Sequence, residues 1–516
     1  MKIANCKIEN YCCYAFILGR EQKIALFELE SVLRRFDVCF DILSLQDNIA
    51  IIKTNAGFSD QISVVSLMQL LGGTVKIFEI MQNAKFKMQN YGMESLLLDK
   101  LSENQTGGTL NFAISDYSGF YKEKELKQIG IEIKKEARKK RPVRFVEGKG
   151  TELSSATSYH KIFKTEGEEF GLFKIAKLLN CQIAGEVENG GRTKSDNLTI
   201  KQFNNELLIG RLIATTNPDE WSDRDYGKPA GDKFSGMMPP KLARMMVNMV
   251  LGENQNLKVK NQNCISKLKI GHSGIEYSLK IENCPEGPEL AEGQIDNSND
   301  LVVFDPFCGS GNILMEALLL GCEVIGSDIS EKAVEDTRAN LAWLCQNSKF
   351  KIQNLNSKLK IENFVFKADA TKEELIEKLN MFLPKKLKPN AYKLFIVTEP
   401  YLGKPKKVKV DRSQVIEEKN ELKNIYLNFF KNIASLKPDT YNLITICFVF
   451  PIIETLDAGE VSLYNECVDE LRQMGYNTTR TLRYGRDYQV VKREIALLQL
   501  GNQRTEEQKN QFGNVL

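Results

Sequence analysis

The run 301–320 constrains the fold more than any other part of the chain. Leu301-Val302-Val303-Phe304 is a short apolar stretch that reads as a buried strand. Asp305-Pro306-Phe307-Cys308-Gly309-Ser310-Gly311 follows, and residues 312–320, NILMEALLL, read as a helix. Strand, glycine-rich turn and helix in this order belong to open α/β sheets, where the turn sits at the carboxyl end of a strand and ligands bind beside it. Glycines let the backbone approach a ligand closely, and the N–H groups at the helix start favour a negative group. A turn of this kind also occurs in a purely structural role, so the strands that follow decide.

Residues 301–500 alternate strand and helix, the pattern of a doubly wound α/β sheet. Residues 323–328 form the second strand and end on Asp328, with Ile329 beside it. Residues 364–369 form the third and end on Asp369, followed by Ala370. The fourth, 394–397, runs into Thr398-Glu399-Pro400-Tyr401. A fifth covers 443–450, and 488–500 completes a terminal hairpin. An acid about one βαβ unit after a glycine-rich turn can bind ribose hydroxyls, which suits Asp328. Asp369 is placed to accept from an adenine amino group. Pro400-Tyr401 is a stiff turn carrying an aromatic face to the same edge. These parts suit an adenosyl ligand, and a dinucleotide needs much the same. The turn is not G-x-G-x-x-G, however, and Asp305 leaves a carboxylate at the ligand. That suits the cationic amino-acid end of S-adenosylmethionine better than a pyrophosphate.

The remaining chain bounds the partners. Its 516 residues are enough for about three domains. The net charge is +3, so affinity for nucleic acid must come from a local patch. No apolar run reaches the ~18 residues that span a bilayer, and MKIANCKIENYCC lacks a signal-peptide core; a cytoplasmic location is expected. Twelve cysteines contain no CxxC pair and there are two histidines, His160 and His272, so no metal site is expected. Residues 1–85 read as a small α+β unit without chemistry. Residues 86–190 form a second unit, in which a helix over 123–140 has a basic end: Lys134, Lys135, Arg138, Lys139, Lys140 and Arg141, then Arg144 on a strand. A charge run is usually a solvated face, but this one concentrates charge at one end, which suits phosphate contacts. Residues 191–240 read as a connector with strands, carrying Phe234 and Met237 and ending in Pro239-Pro240 at a helix start. The last unit, 241–500, is interrupted at 252–300 by a polar insertion read as loop, with Lys-Ile-Glu-Asn repeated at 7–10, 280–283 and 360–363. Residues 501–516 read as a frayed tail.

DPFCGSGNILMEA, GSDIS, KADAT and the Pro-Tyr turn resemble the class I methyltransferases that act on exocyclic base amines. More closely, they resemble the THUMP-containing tRNA guanosine N2-methyltransferases that act at position 10. YAFILGREQKIALFELESVL is similar to that family's amino-terminal ferredoxin-like domain. KEKELKQIGIEIKKEARKK and VRFVEGKGTELSSAT are similar to a THUMP domain, FSGMMPPKLARMMVNM to the segment that contacts the cofactor's methionine part, and YGRDYQVVKREIALL to the last hairpin. The resemblance implies a Rossmann-like methyltransferase domain preceded by a ferredoxin-like and a THUMP-like unit. It implies S-adenosylmethionine held by Phe234, Met237, residues Asp305 to Gly311, Asp328, Ile329, Asp369 and Ala370, and a structured RNA, above all tRNA, as substrate. One departure stands out. The family's turn is Asp or Asn, two prolines and an aromatic; here it is Thr398-Glu399-Pro400-Tyr401. Acceptors are needed to hold the hydrogens of a guanine N2 amine as charge develops on nitrogen. Glu399 can supply a carboxylate, or Thr398 a hydroxyl with backbone carbonyls, while Tyr401 stacks on an extruded base. A non-catalytic RNA-binding protein, or a guanine N2-methyltransferase of ribosomal RNA, are the alternatives.

Overall fold

The computed structural model describes residues 12–54, 62–87, 92–104, 107–174, 206–231, 237–253, 268–271, 274–277, 301–350, 364–383, 393–436, 443–457, 459–486 and 488–501. The chain opens with β1 (Cys12–Leu18), α1 (Gln22–Arg35), β2 (Phe40–Gln46), β3 (Ile49–Thr54), α2 (Val64–Leu70) and β4 (Thr74–Lys87). It continues with α3 (Gly92–Glu103), β5 (Leu110–Asp116), α4 (Glu123–Ala137), β6 (Val143–Phe145), α5 (Ser155–Lys161), β7 (Glu168–Lys174) and β8 (Glu206–Thr215). All eight strands form one sheet in the order β2-β3-β1-β4-β8-β7-β5-β6. A strand expected within the 191–240 connector takes an inner place: β8 pairs with β4 on one side and β7 on the other. Gly210-Arg211 breaks its apolar run, so the sequence does not give the bounds of the strand. The Arg211 guanidinium is satisfied by both oxygens of Glu168 at 2.7 Å. A salt bridge also sits inside this sheet, where Lys76, 1% exposed, donates to Glu169 at 2.8 Å. The basic helix is shorter than the sequence predicts. α4 ends at Ala137 and Arg138–Lys140 form a turn, because Pro142 disfavours helical backbone just before it.

The next helices are α6 (Pro218–Tyr226) and α7 (Pro240–Glu253). Within the insertion expected to be loop, β9 (Leu268–Gly271) and β10 (Gly274–Tyr277) form a two-stranded hairpin. The final unit runs β11 (Leu301–Asp305), α8 (Asn312–Leu319), β12 (Glu323–Asp328), α9 (Glu331–Gln346), β13 (Val365–Lys367), α10 (Glu374–Phe382), β14 (Lys393–Thr398), α11 (Arg412–Ala434), β15 (Leu443–Glu454), β16 (Glu460–Ser462), α12 (Leu463–Gln473), β17 (Tyr476–Tyr484) and β18 (Val491–Gly501). Its sheet has the order β13-β12-β11-β14-β15-β18-β17, with β16 against β15. The strands β11 to β15 are parallel and β18 is antiparallel to both neighbours. This is the Rossmann-like, doubly wound arrangement that the alternation of elements predicts.

Side chains alternate across the sheet with period 2. Val303, Val324, Val397 and Cys447 pack with α7 and α8 on one face. Val302, Ile325, Ile396, Ile446 and Phe448 pack with α10, α11 and α12 on the other. The first core continues without interruption into α1. The α1–α7 contact carries a buried polar joint. Glu28 accepts from the Gly72 and Gly73 N–H groups at 2.8 and 2.7 Å and from Asn248 Nδ2 at 2.7 Å. Gly73 is required by this close approach, since a Cβ there would stand 2.5 Å from that of Ala25. The amino-terminal unit, to which the sequence assigns no chemistry, is thus fastened to the doubly wound unit.

Candidate active site

The switch point of the second sheet lies between β11 and β14, where successive crossovers leave in opposite directions and a crevice opens outside the carboxyl ends. Asp305 ends β11 there. Its Oδ1 accepts from the Phe307 N–H at 3.2 Å and from the Thr398 hydroxyl at 2.7 Å. Asp305 is 1% exposed and Thr398 0%. The sequence reading has Asp305 facing a cationic ligand and Thr398 facing the target amine. The fold instead turns them to each other, so that they join the two strands flanking the switch point. Burial pushes the Asp305 carboxyl up to about 7 from an ordinary 3.8. The folded state thus holds this proton more tightly than the unfolded chain. The stability it contributes is full below the unfolded value and is lost as pH rises through about 7. The Asp305→Asn protein is expected to show a shallower fall in melting temperature between pH 5 and pH 8. Equal slopes in the two proteins would remove Asp305 from that linkage.

The glycine turn is fixed from both sides. The Cys308 N–H donates to the Ser327 carbonyl at 2.9 Å and the Gly309 N–H to Asp328 Oδ2 at 3.0 Å. Gly309 and Gly311 have φ of 52° and 80°, in the left-handed region. A Cβ on Gly311 would lie 2.9 Å from Thr337 Cγ2, whereas one on Gly309 would meet open space. Gly309 is therefore where a ligand can approach the backbone. From α9, Thr337 Oγ1 donates to the Gly309 carbonyl at 2.8 Å, and Asn340 Nδ2 donates to the carbonyls of Ser310 and Ala230, each at 2.8 Å. Asn312 Nδ2 donates to the Met238 carbonyl at 2.6 Å and its oxygen accepts from Lys228. Ser310 Oγ lies 3.4 Å from Met237 Sδ, which brings Met237 against the turn. Phe234 lies outside the described residues. Sequence reasoning missed Thr337, Asn340 and Lys228. The available signal was two polar residues three apart on an otherwise inward helix face.

Asp328 ends β12. Besides Gly309 it accepts from the Ser330 N–H at 2.9 Å, and burial raises its carboxyl. Ile329 beside it is 63% exposed, an apolar surface left open at the crevice. Asp369 follows β13; its Oδ1 accepts from the Thr371 N–H at 2.9 Å and hydroxyl at 2.7 Å. Ala370 is buried, its carbonyl accepting from Asn432 Nδ2 at 3.0 Å. Pro306, Phe307 and Cys308 complete the turn, with Phe307 edge-on to Phe429, ring centroids 5.6 Å apart. Gly309, Asp328, Ile329 and Asp369 thus share one sheet edge with the Tyr401 turn.

In that turn the Glu399 carboxylate is held by Arg493, with Nε–Oε2 at 2.7 Å and Nη2–Oε1 at 2.9 Å. A carboxylate so engaged is not an open acceptor, which corrects the role the sequence offers for it. Pro400 is buried, while Tyr401 is 48% exposed and its carbonyl accepts from Tyr426 at 2.7 Å. No described residue donates to the carbonyls of Glu399 or Pro400. These are the acceptors that the turn presents.

The basic group lies in the first sheet's unit, where α4 meets β6. Lys135, Arg138, Lys139, Lys140 and Arg144 are exposed; Lys134 and Arg141 are half-buried. Arg141 donates to the Asn104 carbonyl, Arg138 to the Val143 carbonyl at 3.4 Å, and Lys139 pairs with Glu136 at 2.6 Å. Cations here also complement the α4 carboxyl terminus.

The fold defines a Rossmann-like α/β unit with a crevice at its switch point. No family model matches the chain. Two curated relatives are similar to it, both named tRNA (guanine(10)-N2)-dimethyltransferase. The one from Methanocaldococcus jannaschii is 32% identical over 227 residues, 40% of this chain and 50% of the relative. The one from Methanothermobacter thermautotrophicus is 29% identical over 140 residues, 27% of this chain and 28% of the relative. The matches thus span half or less of those relatives' length. Among solved structures, a magnesium protoporphyrin IX methyltransferase from Synechocystis with bound SAH is 15% identical. It overlaps 39% of this chain and 75% of its own, at a TM-score of 0.24. Among the described residues no helix is long and apolar enough to cross a membrane.

Proposed function

We propose that the protein is an S-adenosylmethionine-dependent methyltransferase of tRNA, acting in the cytoplasm on the N2 amine of a guanine. The observation that carries this reading is the placement of the Pro400-Tyr401 turn, with two open carbonyls, on the same sheet edge as Gly309 and Asp328. The cofactor supplies an electrophilic methyl group. Gly309 offers close backbone approach, Asp328 has lone pairs left for ribose hydroxyls, Ile329 an apolar surface for an adenine face, and Met237 a contact at the turn. The residues present fit the group. The target amine is a weak nucleophile, because its lone pair is delocalised into the ring. The carbonyls of Glu399 and Pro400 accept its hydrogens and raise its electron density. Tyr401 stacks on the base once it leaves the helix, since the amine is buried in a base pair. The similarity of both curated relatives to this chain supports guanine N2 as the target.

Purified protein with labelled S-adenosylmethionine and unmodified tRNA is expected to incorporate label as N2-methylguanosine, read by nucleoside mass spectrometry. RNA binding without incorporation into tRNA or ribosomal RNA would instead establish a non-catalytic binding protein. The basic group at α4 and β6 holds the tRNA away from the crevice. Reversing Lys139, Lys140 and Arg144 to Glu is expected to weaken binding across sequences and to lower the slope of log affinity against log salt by about two to three. An unchanged slope would return these residues to a solvated face.

A further inference from the structure

Arg493 lies near the start of β18, opposite Pro451 of β15 and Tyr484 of β17. Its guanidinium is 5.7 Å from the Tyr484 ring centroid and grips both oxygens of Glu399. The two side chains are 12% and 14% exposed. A two-pronged arginine–carboxylate pair fixes direction as well as supplying energy. Its base is rigid, because β18 is hydrogen-bonded on both sides. Pro400 fixes its own φ and confines Glu399 to extended backbone, but neither sets how the turn is aimed relative to the sheet. Two anchors set that aim. Tyr426 holds the Tyr401 carbonyl from α11, and Arg493 holds Glu399 from β18. The open carbonyls of Glu399 and Pro400 lie between them.

We propose that Arg493 is a positioning residue for methyl transfer, aiming the Glu399 and Pro400 carbonyls at the target amine through its pair with Glu399. This rests on the methyltransferase reading above. A misplacement of about 1 Å can cost about 100-fold in rate. Arg493→Ala is accordingly expected to lower kcat by about 10- to 100-fold. Binding of S-adenosylmethionine and KM for tRNA change by no more than about twofold, since the Arg493 guanidinium is engaged by Glu399 and mostly buried. Arg493→Lys keeps the charge without the fork and falls between. In a Glu399→Ala background, Arg493→Ala causes no further loss, because its action passes through Glu399. Amide exchange at Tyr401, Leu402 and Gly403, followed in the full chain, speeds up by about tenfold in the Arg493→Ala protein. An unchanged kcat, additive losses in the double variant, or a loss that tracks melting temperature instead of kcat would overturn the proposal. Should the wild-type protein transfer no methyl group to any RNA, the function reading fails. The exchange measurement then decides alone whether Arg493 holds the turn.

Discussion

Replacing Glu316 with alanine is expected to lower the unfolding free energy by about 3–5 kcal/mol, the usual effect of removing one partner from a buried ion pair. Glu316 is 1% exposed in α8 and lies between two arginines. Arg224 Nε from α6 and Arg244 Nε from α7 each donate to it at 2.7 Å. The guanidiniums are nearly closed to water, at 3% and 4% exposure. Without the carboxylate, Arg244 keeps the Gln69 carbonyl at 2.8 Å, and Arg224 keeps the Glu220 carbonyl at 3.2 Å and the Trp221 ring at 4.1 Å from its centroid. Those contacts satisfy protons but leave two buried positive charges uncompensated. Glu316→Gln keeps an acceptor and is expected to lose less. Replacing all three by apolar residues of similar volume is expected to be near neutral, because the desolvation of the charges disappears with them. Urea unfolding of the single and triple variants checks both statements. A loss below about 1 kcal/mol for Glu316→Ala, the size typical of an exposed pair, would show that water reaches the cluster.

The second large effect is on ligand binding. Asp328→Ala is expected to weaken S-adenosylmethionine binding by about 10- to 100-fold, measured by calorimetry. Hydrogen bonds to a charged group contribute about 1.5–3 kcal/mol, and 1.4 kcal/mol is tenfold in affinity. Two losses add in this variant. One is the acceptor proposed for ribose hydroxyls. The other is the bond from Gly309 N–H, which fixes the turn where the ligand is proposed to bind. Asp328→Asn retains one oxygen for Gly309 and separates the two: a small change in that variant assigns the effect to the turn, a large one to the ribose. Unchanged affinity in Asp328→Ala would reject both.

The strand–turn–helix at 301–320, Asp328 ending the next strand and Asp369 two residues beyond the one after were legible in the sequence because their signals are local. A buried strand, a left-handed glycine and a helix start each depend on a few neighbouring residues. The sheet edge that gathers Gly309, Asp328, Asp369 and Tyr401 follows from the alternation of elements. That the 191–240 connector contains strand was legible, but the bounds and sheet position of β8 were not, because Gly210-Arg211 interrupts its pattern and Arg211 finds its partner in β7. Glu316 is a lone acid in an apolar helix, which signals a buried partner but cannot name it.

The sequence by itself determined the doubly wound unit, the place of its crevice and the residue types along its edge. Only the tertiary structure decided what each of those residues is free to do. Asp305 and Thr398 stand 93 positions apart and are consumed by each other; Glu399 and Arg493 stand 94 apart and are likewise paired. The physical reason is that local backbone preference sets where a side chain is presented, whereas the partner of a buried polar group is set by strand order and packing. Under the proposed function, the amine-facing role falls to the backbone carbonyls of the turn, because the side chains of Thr398 and Glu399 are paired elsewhere.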